Sequence, residues 1–112
     1  MSPTRRICQA TALAVLAAPA CALAASTVRP AGKTDRAALV RALVRQDGTS
    51  AGVTGVSISR SHPSLAVVCQ RTPDGGRVAY LFKRRGHAWS YLTDSRSAAP
   101  RSALERGLER AC

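Results

Sequence analysis

The stretch LAVVCQRTPDGGRVAYLFKRR, residues 65–85, decides the fold. Before Pro73-Asp74-Gly75-Gly76, Leu65, Val67 and Cys69 alternate with Ala66, Val68 and Gln70. After it, Val78, Tyr80 and Phe82 alternate with Ala79, Leu81 and Lys83. A period of two is that of a strand, and Asp-Gly supplies the positive φ that a tight hairpin needs. Working outward, Val56 and Ile58 alternate with Ser57 and Ser59 ahead of Ser61-His62-Pro63. Beyond Arg85-Gly86, Trp89 and Tyr91 alternate with Ala88, Ser90 and Leu92.

Two-residue tips at Ser61-His62, Asp74-Gly75 and Arg85-Gly86 align Val56, Val67, Phe82 and Trp89 in one row, with Thr54, Cys69, Tyr80 and Tyr91 in the next. The expected core face is Val56, Ile58, Leu65, Val67, Cys69, Val78, Tyr80, Phe82, Trp89 and Tyr91. A slip of one residue at a tip would turn a strand over. Upstream, Thr34 or Asp35 can cap a helix whose apolar face is Leu39, Val40, Leu43 and Val44, with Gly48 as its stop. Downstream, Pro100 suits a first helical position, and Leu104, Leu108 and Cys112 recur every four residues. Arg101 and Glu105 are spaced to pair on the outer side of that helix. The expected class is α+β: a four-stranded antiparallel meander with an N-terminal and a C-terminal helix, in the order α-β-β-β-β-α, and helical cover on one face.

The N-terminus has the order of a secretory signal: Arg5 and Arg6, an uncharged run from Ile7 to Ala18, then Ala22-Leu23-Ala24. Residues 1–24 are therefore expected to be a cleaved signal peptide, 25–33 a flexible leader, and 34–112 one small domain. An uncleaved anchor and lipidation at Cys21 are the alternatives. After cleavage no transmembrane segment is expected, and the localisation is secreted or extracytoplasmic. Cys8 and Cys21 leave with the signal, and Cys69 and Cys112 remain. An even pair in an oxidising compartment implies a disulfide. Both apolar patterns put a sulfur on the buried side, one from the sheet and one from the last helix.

Losing Arg5 and Arg6 takes the net charge of +11 to +9. Such a surface favours anionic partners. The densest basic run, Lys83-Arg84-Arg85-Gly86-His87, falls at a hairpin tip near Arg60 and His62, so Arg60, Lys83, Arg84, Arg85 and His87 are the candidate anion contacts. A charged edge that resists sheet-to-sheet aggregation explains the same residues. The aromatics are needed for the core and leave no stacking platform for nucleic acid. The second sheet face carries Ala66, Val68, Leu81 and Leu92, too apolar for full solvation. Either the first helix crosses to it or a protein partner covers it.

No catalytic set, metal set or cofactor motif emerges. His62 and His87 share one end of the meander, which leaves a small histidine-dependent hydrolase or metal protein as an alternative. No serine sits in a Gly-x-Ser-x-Gly elbow. The run from Val56 through Val68, the Ala79-Tyr80-Leu81 segment, the Arg-Arg-Gly-His-Ala-Trp turn and the closing Leu-Glu-Arg-Ala-Cys together resemble small uncharacterised secreted proteins of GC-rich Gram-positive bacteria. The resemblance covers roughly residues 36–112. It implies a helix, a compact sheet and a terminal cysteine after a short helix, and no activity. There the partner cysteine lies in the loop before the last helix, whereas residues 93–99 here contain none. The expected role is a non-enzymatic exported binding module contacting anionic cell-envelope components. A protein-directed inhibitor using the Ala66/Val68/Leu81/Leu92 face is the alternative.

Overall fold

The computed structural model describes residues 27–112. The expected signal peptide lies outside them. Among the described residues, β1 (Val28–Pro30), α1 (Lys33–Asp47), β2 (Val53–Ser59), β3 (Leu65–Arg71), β4 (Arg77–Arg85), β5 (Ala88–Asp94) and α2 (Ala103–Glu109) follow in chain order. The strands form one antiparallel sheet in the order β1-β2-β3-β4-β5. The fold is α+β, with five strands where four were expected. The additional strand comes from the leader: Val28 pairs with Ser59 and Pro30 with Ser57. Pro30 has no N–H to donate, which an edge position tolerates.

The two helices cover opposite faces, not one. α1 starts two residues ahead of the nearer expected cap, on Gly32 and not on Thr34 or Asp35, with Asp35 in its first turn, and ends at Gly48, whose φ of 88° closes the helix onto Val44 O. It buries Leu39, Ala42 and Leu43, an i, i+3, i+4 stripe. Val44, expected inside, is exposed. Against this stripe lie Val56, Ile58, Ala66, Val68, Val78, Tyr80, Phe82 and Trp89. The second layer joins Val67, Cys69, Ala79 and Leu81 to Leu108 of α2, with Leu65 and Cys112 packed beside them. β3 is therefore turned over relative to the expected core face. Leu65, Val67 and Cys69 face α2, while Ala66 and Val68 face α1.

Turn chemistry explains the inversion. No residue other than glycine has positive φ among the described residues, so neither Ser61-His62 nor Asp74-Gly75 can be a type I′ pair. The β3–β4 loop is instead three residues, Pro73-Asp74-Gly75, closed by Thr72 N–H to Gly76 O at 2.9 Å. Proline fits the first position of such a turn, and Gly75 takes the left-handed position with φ 90°. The β2–β3 loop is longer, Arg60–Ser64, and the Ser59 hydroxyl accepts the His62 N–H. Each loop shifts the pairing by one residue, giving Val56 opposite Val68 and Val68 opposite Tyr80. The two shifts cancel in parity, so β3 alone changes side. The last tip is Gly86-His87, with φ 62° at Gly86, as a type II′ turn requires. It moves the register by two and keeps Trp89 and Tyr91 on the α1 face. Tyr91, expected in the core, lies at its rim, half exposed, edge-on to Phe82 at 6.3 Å between ring centres.

α2 begins at Ala103, not at Pro100. Ser102 caps it by accepting from Glu105 N–H, and the Glu105 carboxylate accepts from Ser102 N–H, a reciprocal capping box. Glu105 is thus occupied, and Arg101 pairs with Glu109 instead. The chain then turns Cys112 onto Cys69. The disulfide is formed, with 5.5 Å between Cα atoms.

Candidate functional site

Antiparallel topology gathers the ends of β2 and β4, the starts of β3 and β5, and the start of α1 at one end of the molecule. Arg60, His62, Lys83, Arg84, Arg85 and His87 all lie there, as the sequence places them. Lys33 and Arg36, in the first turn of α1, join them. The first turn of α1 is tied to the β4–β5 hairpin by the Arg84 Nη2 to Asp35 Oδ1 ion pair at 2.9 Å. The α1 N-terminus adds its own partial positive charge to this end.

The carboxylates lie elsewhere. Among the described carboxylates of α1 and the strands, Asp35 alone lies at this end. Asp47 and Asp94 end α1 and β5, and Asp74 sits on the β3–β4 tip, all at the far end. Glu105 and Glu109 belong to α2 and are held in the capping box and the Arg101 pair. The molecule is therefore electrically polarised along its strands.

The candidate anion contacts are not equivalent. Arg84 projects toward α1. Besides binding Asp35, its guanidinium lies 4.6 Å from the centre of the Trp89 ring. Its charge and its position are committed to holding the hairpin against α1. Lys83 and Arg85 alternate with it and project to the α2 face, exposed. His87 is exposed on the tip. Arg60 is exposed and donates Nε–H to Val28 O at 3.2 Å, which fixes its guanidinium beside β1. The run seen in the sequence is thus split across the sheet, with Lys83 and Arg85 the least encumbered cations.

Ser61 Oγ and His62 Nδ1 are 3.0 Å apart, a contact between neighbouring loop residues. Among the hydrogen bonds of the described residues, no carboxylate reaches the His62 ring to orient it as a general base would need. Among the described residues no three His, Cys, Asp or Glu side chains converge to hold a metal.

The far end carries a polar network that the sequence did not reveal. Buried Asp94 accepts from Tyr91 OH at 2.7 Å, from Arg96 N–H at 2.8 Å, and from the Arg96 guanidinium. The Arg96 contacts chiefly, with the Tyr91 hydroxyl, hold its carboxyl down to about 2 despite burial. Burial and the Asp94 hydrogen bond push Tyr91 up to about 12. Tyr80 OH donates to Asp47 at 2.9 Å, and burial with that bond raises it to about 12 as well. Gln70, also buried, donates to Thr49 O and Ala51 O. These groups satisfy one another and pin the α1–β2 loop, a structural role.

The proposed partner face does not exist as one surface. Ala66 and Val68 are fully buried under α1, Leu81 is fully buried on the α2 side, and Leu92 alone is exposed. Leu92 sits at the irregularity where the β4–β5 register shifts, which explains its outward position. The chain matches no family model, no curated protein and no solved structure.

Proposed function

We propose that the chain is an exported, non-enzymatic binding module that rests its basic strand end on an anionic polymer of the cell envelope. The observation that carries this reading is charge segregation along the sheet: Lys33, Arg36, Arg60, Lys83 and Arg85 share one end, and Asp35, the one described carboxylate of α1 and the strands there, is bound by Arg84. The N-terminal sequence pattern and the Cys69–Cys112 disulfide support export to an oxidising compartment. Burial of Ala66, Val68 and Leu81 removes the basis of the inhibitor reading.

The test is retention of the processed chain on an immobilised wall polyphosphate or on anionic vesicles, against a neutral matrix. A basic residue near an anionic surface is worth about 1 kcal/mol, so Lys83→Gln with Arg85→Gln should weaken retention roughly thirtyfold. Arg71→Gln with Arg77→Gln, at the opposite end, should change it far less. Screening shortens from ~10 Å at 0.1 M salt to ~3 Å at 1 M, so retention should disappear over that range. Retention that ignores salt, or equal loss from both pairs, refutes the reading.

A further inference from the structure

Between α2 and the end of β2 runs a groove of about 530 Å³. One wall is Ala103, Leu104, Gly107 and Leu108, without a polar side chain. The other carries Arg60 among the hydroxyl residues Thr27, Ser59 and Ser61. The volume is in the range of small-molecule sites, roughly 300–1,000 Å³. The long apolar wall asks for a hydrocarbon. The opposite wall asks for a negative head: the Nε–H of Arg60 is spent on Val28 O, which leaves its two Nη groups for a ligand. Lys83 and Arg85 extend the positive field on this same sheet face. The partner that answers both walls is an amphiphile with one apolar chain and one anionic head.

We propose that this groove binds a single fatty-acid-like carboxylate, its chain along Leu104, Gly107 and Leu108 and its head on Arg60. The inference deepens the reading of the basic end, on which the head contact rests. It adds a discrete, stoichiometric site to a diffuse electrostatic one.

Gly107 gives a clean test. A Cβ built there meets nothing nearer than Arg110 Nη2 at 3.8 Å, so a side chain can be added without moving the backbone, at a position that lines the groove. The processed chain is titrated calorimetrically with decanoate and, separately, with decanol. Decanoate is expected to bind one per chain and at least tenfold more tightly than decanol. Arg60→Gln should weaken decanoate about tenfold, the loss of one charge-assisted contact, and leave decanol unchanged. Gly107→Leu should weaken both at least tenfold while raising thermal stability, because it replaces a helical glycine. Circular dichroism confirms that each variant is folded. No saturable binding of decanoate overturns the proposal. Equal binding of decanoate and decanol, or variants that bind as the parent does, overturn it as well. Decanoate failing while polymer retention persists defeats the groove alone. Retention failing while decanoate binds selectively defeats the polymer reading and leaves the groove.

Discussion

Replacing Cys69 and Cys112 together by alanine should release α2 from the sheet and remove much of the stability of the domain. The bridge joins residues 43 apart in sequence. Closing a loop of that length lowers the free energy of folding by about 4 kcal/mol in the chain-entropy treatment. A domain of this size is stable by only about 4–13 kcal/mol in total. The local balance points the same way. α2 has seven residues, and isolated helices shorter than ~12–15 residues are marginal in water. Its one fully interior side chain, Leu108, contributes about 2–3 kcal/mol by burial, whereas ordering each backbone residue costs about 1–2 kcal/mol. The capping box and the Arg101–Glu109 pair offset part of that cost, but not all of it without the covalent tie.

Two readouts separate local release from global loss. Trp89 lies on the α1 face, away from the bridge, so its fluorescence follows unfolding of the main core. Amide exchange follows α2 directly. In the double variant, amides of residues 103–109 should exchange at nearly the rate of an unstructured chain while those of β3 and β4 keep protection. The urea midpoint read at Trp89 should fall by an amount equivalent to about 4 kcal/mol. If α2 amides stay protected and the midpoint moves by less than about 1 kcal/mol equivalent, the account of how α2 is held is wrong.

Other consequences can be measured with the same unfolding assay. The Asp94 carboxyl is depressed to about 2 in the folded chain against an ordinary value near 3.9, so its contribution is present above about pH 4 and fades as pH falls through 2. That contribution is about 2–3 kcal/mol, and an Asp94→Asn variant should lack this acid limb. Tyr80 and Tyr91 are raised to about 12, so the stability they confer holds below about pH 10 and is lost as pH rises through 12. Tyr91→Phe should flatten the upper limb and, by removing a partner of Asp94, part of the lower one. Gly52 has φ 83°, and a Cβ there would lie 2.3 Å from Arg71 O, so Gly52→Ala should cost about 2–4 kcal/mol, whereas Gly32→Ala, with open space around it, should cost far less. Val67→Ala and Val68→Ala should each cost about 2 kcal/mol, because both are fully buried on opposite faces; a one-sided sheet would spare one of them.

Much of this was legible from residue types. The strands, the glycine stop of α1, the facing cysteines and the shared end of the two histidine-bearing loops all follow from period and turn composition. Loop length was not legible. Pro73-Asp74-Gly75-Gly76 is compatible with a two-residue or a three-residue tip, and only the absence of positive φ at Asp74 selects the longer one. β1 was hidden because three residues with a proline carry no period. Lys33 and Arg36 reach the basic end through tertiary packing, with Asp35–Arg84 as the contact that could have been sought. The Asp94–Arg96–Tyr91 network left no periodic signal, since its members come from a strand and the turn after it.

That single uncertainty in loop length propagates to the site. With two-residue tips, Cys69 would share a face with Tyr80 and Phe82, and Cys112 would have to approach from the side of α1. Turning β3 over sends Cys69 to the opposite face, so the tail must cross the sheet edge to meet it, and α2 then covers Val67, Ala79 and Leu81. Both faces are thereby closed by the chain's own helices. What stays open is the exposed basic strand end, with Lys83 and Arg85 on it, together with the groove that α2 leaves beside β2. The disulfide therefore does more than stabilise: by tying α2 to the Cys69 layer, it leaves the basic end and the open side of that helix as the surfaces that the proposed contacts would use.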